Sequence, residues 1–227
     1  MGKFGQMMAQ FDLLHAFWVT IQLSVLGALG ALVIGTVVAI MRVSPVRSLQ
    51  LFGAGYVNII RNTPLTLLLF FCWFGLRISS GIQLGLPSDP TQVLSLRWAI
   101  IAVAVYHASF VAEAIRSGVN TVPQGQAEAA RAIGLGFFDS LRHVVLPQAF
   151  RGAVAPLGNV LIALIKNTTV AATIGLYEAA YTMKGMIEFY PQLLYVTFAL
   201  IALGFIILTL PTGIFFTSMS RKVAVQR

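Results

Sequence analysis

Residues 16–41 read AFWVTIQLSVLGALGALVIGTVVAIM, a run that contains no Asp, Glu, Lys or Arg. A straight helix needs about 20 apolar residues to cross the hydrocarbon core of a bilayer. Four further apolar runs of comparable length follow, at about 52–76, 98–115, 153–173 and 193–219. Because backbone groups in lipid must be hydrogen-bonded within their own segment, each run is predicted to form a helix. The sequence therefore predicts an all-α integral membrane protein with five transmembrane helices and one domain over residues 1–227.

The overall composition excludes an ordinary soluble domain. The 227 residues are 58% hydrophobic and 10% charged, and the mean hydropathy is +0.85, whereas soluble domains carry about 25% charged residues. The net charge is +8, and the basic residues cluster at the ends of the apolar runs. This position indicates that they set the topology and contact anionic lipid headgroups. No nucleic-acid partner is expected, because no basic stripe with interleaved aromatic residues occurs. The single cysteine, Cys72, excludes an intrachain disulfide, and no metal site is expected.

The distribution of basic residues predicts the orientation of the chain. With the N-terminus outside, ten Lys and Arg residues fall on the inner segments and four fall on the outer ones. The inner set is Arg42, Arg47, Arg61, Arg116, Arg131, Arg142, Arg151, Arg221, Lys222 and Arg227, and the outer set is Lys3, Arg77, Arg97 and Lys184. The positive-inside rule therefore favours an outer N-terminus and an inner C-terminus.

A polar stretch at about 118–152, called the connecting segment below, separates the third and fourth runs. Pro123 suits a helix start, and Gly134-Leu135-Gly136 interrupts a helical pattern that resumes over 137–145. We therefore predict two short helices with a glycine bend, whose apolar tip fits a cleft on a partner protein. The predicted tip consists of Leu135, Phe137 and Phe138. An amphipathic helix pair lying flat on the bilayer explains the same residues equally well.

The connecting segment resembles the signature of the permease subunits of ATP-binding-cassette (ABC) importers. That signature is Glu-Ala-Ala, three residues, Gly, nine residues, an aliphatic residue, one residue, and Leu-Pro. This chain has Glu128-Ala129-Ala130, then Gly134, then Val144, then Leu146-Pro147. Every spacing fits, and valine stands where isoleucine is usual.

Other segments resemble the subfamily of these permeases that takes up polar amino acids. Arg61-Asn62-Thr63-Pro64-Leu65 is similar to its Arg-Gly-Thr-Pro-Leu segment, with asparagine in place of glycine. Lys166-Asn167-Thr168-Thr169 is similar to its Lys-Asp-Thr-Ser segment. The resemblance covers nearly the whole chain from Trp18 onward.

The resemblance implies the fold of a type I ABC importer permease in the bacterial inner membrane. The implied partners are a second permease subunit, identical or paralogous, two cytoplasmic ATP-binding subunits, an extracytoplasmic solute-binding protein, and membrane lipid. ATP and magnesium would belong to the ATP-binding subunits, because this chain lacks a Gly-x-x-x-x-Gly-Lys-Ser/Thr run. We therefore expect no cofactor and no covalent chemistry in this chain. The residues implied in coupling to the ATPase are Glu128, Ala129, Ala130, Gly134, Leu135, Phe137 and Asp139.

Polar residues inside the apolar runs suggest a substrate path. A charge at mid-span costs roughly 3 kcal/mol on insertion scales, so its presence requires a reason. Helical periodicity places Lys166, Asn159 and Thr169 on one face of the fourth run, and Tyr106 and Glu113 on one face of the third. Either these faces line a path, where Lys166 would meet a carboxylate, or Lys166 and Glu113 form a buried pair that only fixes packing. The candidate path residues are Lys166, Glu113, Asn159, Thr169, Tyr106 and Asn62.

The expected function is ATP-driven import of a polar amino acid by alternating access. Asn167 beside Lys166 adds no negative charge, which favours glutamate or glutamine over arginine or lysine. The alternative is a proton-coupled secondary transporter, with His107 and Glu113 as a proton relay. An intramembrane enzyme is not favoured, because the chain has neither His-Glu-x-x-His nor Gly-x-Ser-x-Gly.

Overall fold

The computed structural model describes residues 2–86 and 88–223, and its regular elements are helices. Arg227, counted above for the orientation, lies outside the described residues. The α-helices are α1 (Lys3–Gln10), α2 (Leu13–Val43), α3 (Arg47–Asn62), α4 (Leu65–Phe70), α5 (Thr91–Val119), α6 (Gln124–Ala132), α7 (Phe137–Ser140), α8 (Leu146–Asn167), α9 (Ala179–Phe189) and α10 (Leu194–Val223). Residues Phe71–Ser79 and Leu141–Val145 are π-helical, and residues Thr168–Ile174 and Pro191–Leu193 form 3-10 helices.

In the part of the chain that the structure describes, four continuous helical stretches are long and apolar enough to cross a membrane. They cover Leu13–Val43, Thr91–Val119, Phe137–Ile174 and Pro191–Lys222. The fifth predicted span, at 52–76, is instead a bent pair, in which α3 meets the helix over Leu65–Ser79 at 102°. Pro64 causes the bend, because it has no N–H and holds the preceding Thr63 in an extended conformation, with φ −94° and ψ 131°. The prediction of one continuous helix over 52–76 was therefore wrong at Thr63–Pro64.

The centre of the fold is the contact between α2 and α5. Gly27, Ala31 and Gly35 recur every four residues and are buried on the face of α2 that meets α5. A Cβ atom at Gly35 would lie 2.6 Å from the Val111 side chain and 2.8 Å from the Ala108 carbonyl oxygen. The small residues therefore let the two backbones approach closely, as small residues do in membrane helix pairs.

We expect Gly35→Ala to destabilise the protein by about 1–3 kcal/mol, the usual cost of overpacking a close contact. The matched control is Gly55→Ala in α3, where an added Cβ would meet no atom within 4 Å. That control should be neutral or slightly stabilising, because alanine favours helices over glycine. Thermal unfolding of both variants in the same detergent measures the difference. Equal unfolding temperatures would contradict the packing argument.

The helix that enters the fourth span is longer than the sequence predicted. The fourth run was predicted at 153–173, yet the helical stretch begins at Phe137 and runs through Pro147 to Ile174. Pro147 lies in the first turn of α8, where a missing N–H costs little. The preceding π-helical turn also accommodates it, because the Leu146 N–H donates to the Leu141 carbonyl. The second half of the connecting segment is thus a continuation of the span.

The two ends of the helical bundle have different elements. At one end, called the loop end below, α5 leads into the connecting segment, and an added Cβ at Gly152 would meet Thr121 Oγ1. At the opposite end, α9 packs against α2, and the Ala179 N–H donates to Thr20 Oγ1 at 3.2 Å. Glu178 caps α9 there, and its carboxylate accepts from the N–H groups of Ala180 and Tyr181, both at 2.9 Å.

Glu178 gives the cap of α9 a pH dependence. The residue is fully buried, and burial raises the pKa of its carboxyl to about 7 from the ordinary value of 4.5, against the opposing effect of its two N–H donors. Because the pKa is higher in the folded protein than in the unfolded chain, folding favours the neutral carboxyl group of Glu178. The contribution of Glu178 to the stability of the fold is therefore complete below pH 4.5 and is lost as the pH rises through about 7. We expect the unfolding free energy to fall by about 3 kcal/mol across that window.

Glu178→Gln should abolish most of this pH dependence, because the amide keeps an acceptor oxygen and does not titrate. Unfolding temperatures of both proteins between pH 4.5 and pH 8 provide the test. Glu188→Gln, at an exposed position on the same helix, serves as the control and should behave like the unchanged chain. An unaltered pH slope in Glu178→Gln would refute the assignment.

Candidate functional site

One face of α8 is polar and exposed. It consists of Gly152, Ala155, Asn159, Ala163, Lys166 and Thr173, the last in the following 3-10 helix, and it is called the polar face of α8 below. Its members recur every three or four residues, apart from the step from Lys166 to Thr173, so they form one stripe. By contrast, Leu164 and Ile165 point into the core. Thr169, also predicted on this face, is half-buried and donates to the Lys166 carbonyl at 2.8 Å.

The polar face of α8 differs from the exposed surface of α10, which has the apolar character expected of a lipid-facing helix. The exposed side chains of α10 are mostly large and apolar, and include Phe198, Ile207 and Phe215. The polar face of α8 presents small side chains, an amide and an ammonium group instead. An ammonium facing hydrocarbon is costly, so this stripe requires either a protein partner or a water-filled path.

The bend after α3 lies beside the end of α8. α4, which begins directly after Thr63-Pro64, packs against the 3-10 helix Thr168–Ile174. Asn62 is exposed at the end of α3, and its amide donates to the Asn58 carbonyl at 2.7 Å. Neighbouring elements thus bring the end of α3 and the segment that follows Lys166 to the same region.

Glu113 is not paired with Lys166. Its carboxylate forms ion pairs with Arg42 of α2 and with Arg116, the latter at 3.3 Å. Glu113 lies six residues, about 9 Å of helix, closer to the loop end than His107, and His107 is the residue that meets the end of α8 beside Lys166. Of the two alternatives for Lys166 and Glu113, the buried pair is therefore excluded, because the two charges lie at different depths and Glu113 pairs with arginines instead. Another cation lies against α5 one turn before Glu113, where the Arg61 guanidinium stacks on Phe110 at 5.2 Å from the ring centroid.

His107 joins α5 to α8. It is buried, its Nδ1 lies 2.9 Å from the Val103 carbonyl oxygen, and its Nε2 lies 3.2 Å from the Asn167 side-chain nitrogen. These partners fit a neutral ring that donates from Nδ1 and accepts from Asn167 at Nε2. With both nitrogens engaged and Glu113 held by arginines, the geometry gives no support to a His107–Glu113 proton relay.

Sequence reasoning missed the role of Asn167 beside Lys166. The sequence indicated this contact only indirectly, because a buried histidine in α5 requires a polar partner and Asn167 is one of the polar residues of the neighbouring run. Tyr106 belongs to the same region but is half-buried, and its ring packs edge-on against His107 at a centroid distance of 5.1 Å. Tyr106 also contacts Phe110 at 5.2 Å, so it lies in an aromatic cluster rather than on the polar face of α8.

The glycine bend of the connecting segment is a Schellman motif. Gly134 has φ +89°, the Leu135 N–H donates to the Ala130 carbonyl at 3.1 Å, and the Gly134 N–H donates to the Arg131 carbonyl at 3.0 Å. These two bonds end α6 in the way that a left-handed glycine after a helix usually does. The bend is therefore fixed by the backbone of the segment itself.

The exposed tip of the connecting segment differs from the predicted one. Ile133 is 79% exposed and Phe138 is 75% exposed, whereas Leu135 and Phe137 are half-buried. The prediction of Leu135 and Phe137 as exposed tip residues was wrong, because both are half-buried and Ile133, the residue before the turn at Gly134, is exposed instead. Among the residues implied in coupling, Glu128, Ala129, Gly134 and Asp139 are exposed and Ala130 is buried.

The comparisons with known proteins agree with this geometry. Residues 31–225 match the family described as "Binding-protein-dependent transport system inner membrane component". The chain is 49% identical over 218 residues to the glutamate transport system permease protein GluC of Corynebacterium efficiens, covering 95% of this chain and 96% of that one. It is 31% identical over 201 residues to the probable glutamine ABC transporter permease protein GlnM of Bacillus subtilis, covering 88% of each.

Solved structures show the same fold. An amino acid ABC transporter crystallised with histidines aligns with a TM-score of 0.77 and 25% identity, over 92% of this chain and 93% of that one. The inward-facing MetNI methionine ABC transporter aligns with a TM-score of 0.71 and 21% identity, over 94% and 96%. The family match and the level of identity, together with the spanning helices, establish that the chain belongs to the inner membrane components of binding-protein-dependent transport systems.

Proposed function

We propose that this chain is the permease subunit of an ATP-driven importer for glutamate or glutamine, with an outer N-terminus and an inner C-terminus. The loop end then faces the cytoplasm, and α9 faces outward. The observation that carries the proposal is the polar face of α8, with Lys166 exposed on a helix that spans the membrane. The printed functions of the relatives, glutamate transport and glutamine transport, supply the substrate class.

The polar face requires a second permease subunit. One chain leaves Asn159 and Lys166 exposed at membrane depth, so a second chain placed against this face would enclose a path between the two. Lys166 would meet the substrate carboxylate, while Asn159 and Thr169 would bond its other polar groups. Asn62 would approach from the end of α3. Glu113 has a supporting role in this arrangement, because its two arginines fix the loop ends of α2 and α5.

The exposed tip of the connecting segment would contact a cytoplasmic ATP-binding subunit. Ile133 and Phe138 offer apolar side chains on a rigid turn, which suits a groove on a partner. Glu128 and Asp139 lie beside them as polar rim residues. Because α7 is continuous with the helix of the fourth span, a movement of the tip is transmitted directly to the polar face. Closure of the ATPase dimer would thus favour one access state of the path over the other.

Co-purification with a functional assay tests the proposal. The tagged chain is expressed with its neighbouring subunits, extracted in mild detergent, and assayed for ATP hydrolysis with a binding protein and a panel of amino acids. We expect a stoichiometric ATPase companion and stimulation by glutamate or glutamine. Stimulation only by arginine or lysine would overturn the substrate class. Solute uptake that resists ATP depletion but stops with an uncoupler would overturn the whole proposal in favour of proton coupling.

A further inference from the structure

A long apolar cavity lies on the side of α8 opposite its polar face. It has a volume of about 360 Å³ and is bounded by α2, α5, α8 and α10. Its walls include Ala28, Val111, Val154, Val160 and Met219, and among the described residues that line it the charged one, Arg151, contributes only apolar atoms to its surface. The lining of α8 extends from Arg151 to Leu164, a helical distance of about 20 Å. The cavity is therefore elongated along the membrane normal.

The cavity suits a hydrocarbon chain. An apolar cavity of about 150 Å³ stays dry and accepts apolar molecules, and this one is more than twice that size. The described residues that line the cavity offer water no polar partner. The large residues Phe150 and Phe216 form part of its lining, and an added Cβ at Gly158 would meet the Phe216 Cβ at 2.5 Å. Leu32 and Met219, which also line it, are each 40% exposed, so the cavity opens to the surface of the chain.

The basic residues at the loop end of the cavity indicate the headgroup that would accompany the hydrocarbon chain. Arg151 is exposed at the loop end, and none of the ion pairs among the described residues involves it. Arg221 and Lys222 follow Met219 at the same end of α10. On the orientation proposed above, these cations lie at the cytoplasmic headgroup layer, where basic residues attract anionic lipids.

We propose that this cavity binds one acyl chain of an anionic phospholipid of the inner leaflet, with its phosphate held by Arg151. The site is distinct from the substrate path, since the residues of α8 that line it lie on the helix face opposite Asn159 and Lys166. The lipid would connect α2 to α8 and α10, and so would support the helix that leads from the connecting segment into the membrane.

The test measures lipids retained by the assembled complex. The complex is purified in mild detergent, exchanged into an equimolar mixture of phosphatidylglycerol and phosphatidylcholine, washed, and analysed by mass spectrometry for lipid per chain. We expect one retained phospholipid per chain, with phosphatidylglycerol preferred about fivefold, the effect of one basic residue near the membrane surface. Ala28→Phe and Val160→Phe, which fill the cavity, should each reduce retention about tenfold.

Matched controls separate the cavity from general effects. Ala199→Phe adds the same volume at an exposed position of α10 outside the cavity, and it should retain lipid normally. Arg151→Gln should lose the preference for phosphatidylglycerol, whereas Arg47→Gln, exposed at the start of α3, should keep it. Size-exclusion profiles establish that each complex is intact. Equal retention in the cavity variants and in Ala199→Phe, or an unchanged headgroup preference in Arg151→Gln, would overturn the proposal, while the transport assay described above remains independent of this result.

Discussion

Phe138→Ala is expected to weaken the association between this chain and its ATP-binding subunits by about 30-fold, the loss of roughly 2 kcal/mol that defines an interface hot spot. Phe138 is 75% exposed on a short helix whose position is fixed by the Schellman turn at Gly134. A large aromatic side chain held rigidly in solvent gives much binding energy at little entropic cost. Titration of the ATP-binding subunit against permease in nanodiscs measures the affinity.

The control for this prediction is Phe198→Ala. Phe198 is 63% exposed, but it lies on α10 near the end opposite the connecting segment. Its truncation should leave the affinity unchanged, and the yield of both variants in the membrane should match. Ile133→Ala provides a second variant of the same tip. If Phe138→Ala and Ile133→Ala both bound the ATPase as tightly as the unchanged chain, the connecting segment would lack the role proposed for it.

Lys166→Ala is expected to lower substrate uptake by at least about tenfold, because a charged hydrogen bond to the substrate is worth about 1.5–3 kcal/mol. Lys166 is exposed on the polar face of α8, and no ion pair among the described residues involves it. Its removal therefore leaves no ion-pair partner unpaired among the residues that the structure describes. Assembly and membrane yield should change little, and initial rates of uptake in proteoliposomes measure the effect.

Two further variants sharpen the interpretation. Lys166→Arg keeps the charge and should recover part of the uptake, whereas Lys184→Ala removes an exposed lysine from α9 and should have no effect. Uptake by Lys166→Ala that matches Lys184→Ala would remove Lys166 from the substrate path. A parallel loss of uptake and of assembled complex would instead assign Lys166 to the contact between permease subunits.

The sequence by itself determined the membrane class, the runs that become helices, and the glycine bend of the connecting segment. These features depend on local chemistry. Apolar length determines which segments enter a bilayer, and Gly134 adopts a backbone conformation that other residues rarely adopt. The spacing from Glu128 to Pro147 also indicated the family, since the residues of the signature lie close together along the chain. Pro64 also indicated a bend locally, but the run 52–76 is long and apolar enough to suggest one continuous helix, so the bend was not predicted.

Only the tertiary structure decided which polar groups meet. Periodicity gives the face on which a residue lies but does not give its depth relative to a neighbouring helix. The sequence therefore left open whether Glu113 pairs with Lys166, whereas in the structure Glu113 pairs with Arg42 of α2 and with Arg116 of its own helix. The same relative depth brings Asn167 to His107 and leaves Lys166 exposed. Which residues of the tip are exposed also depended on the turn at Gly134. A shift of one residue along a helix changes the direction of a side chain by about 100°, which is enough to exchange an exposed side chain for a covered one.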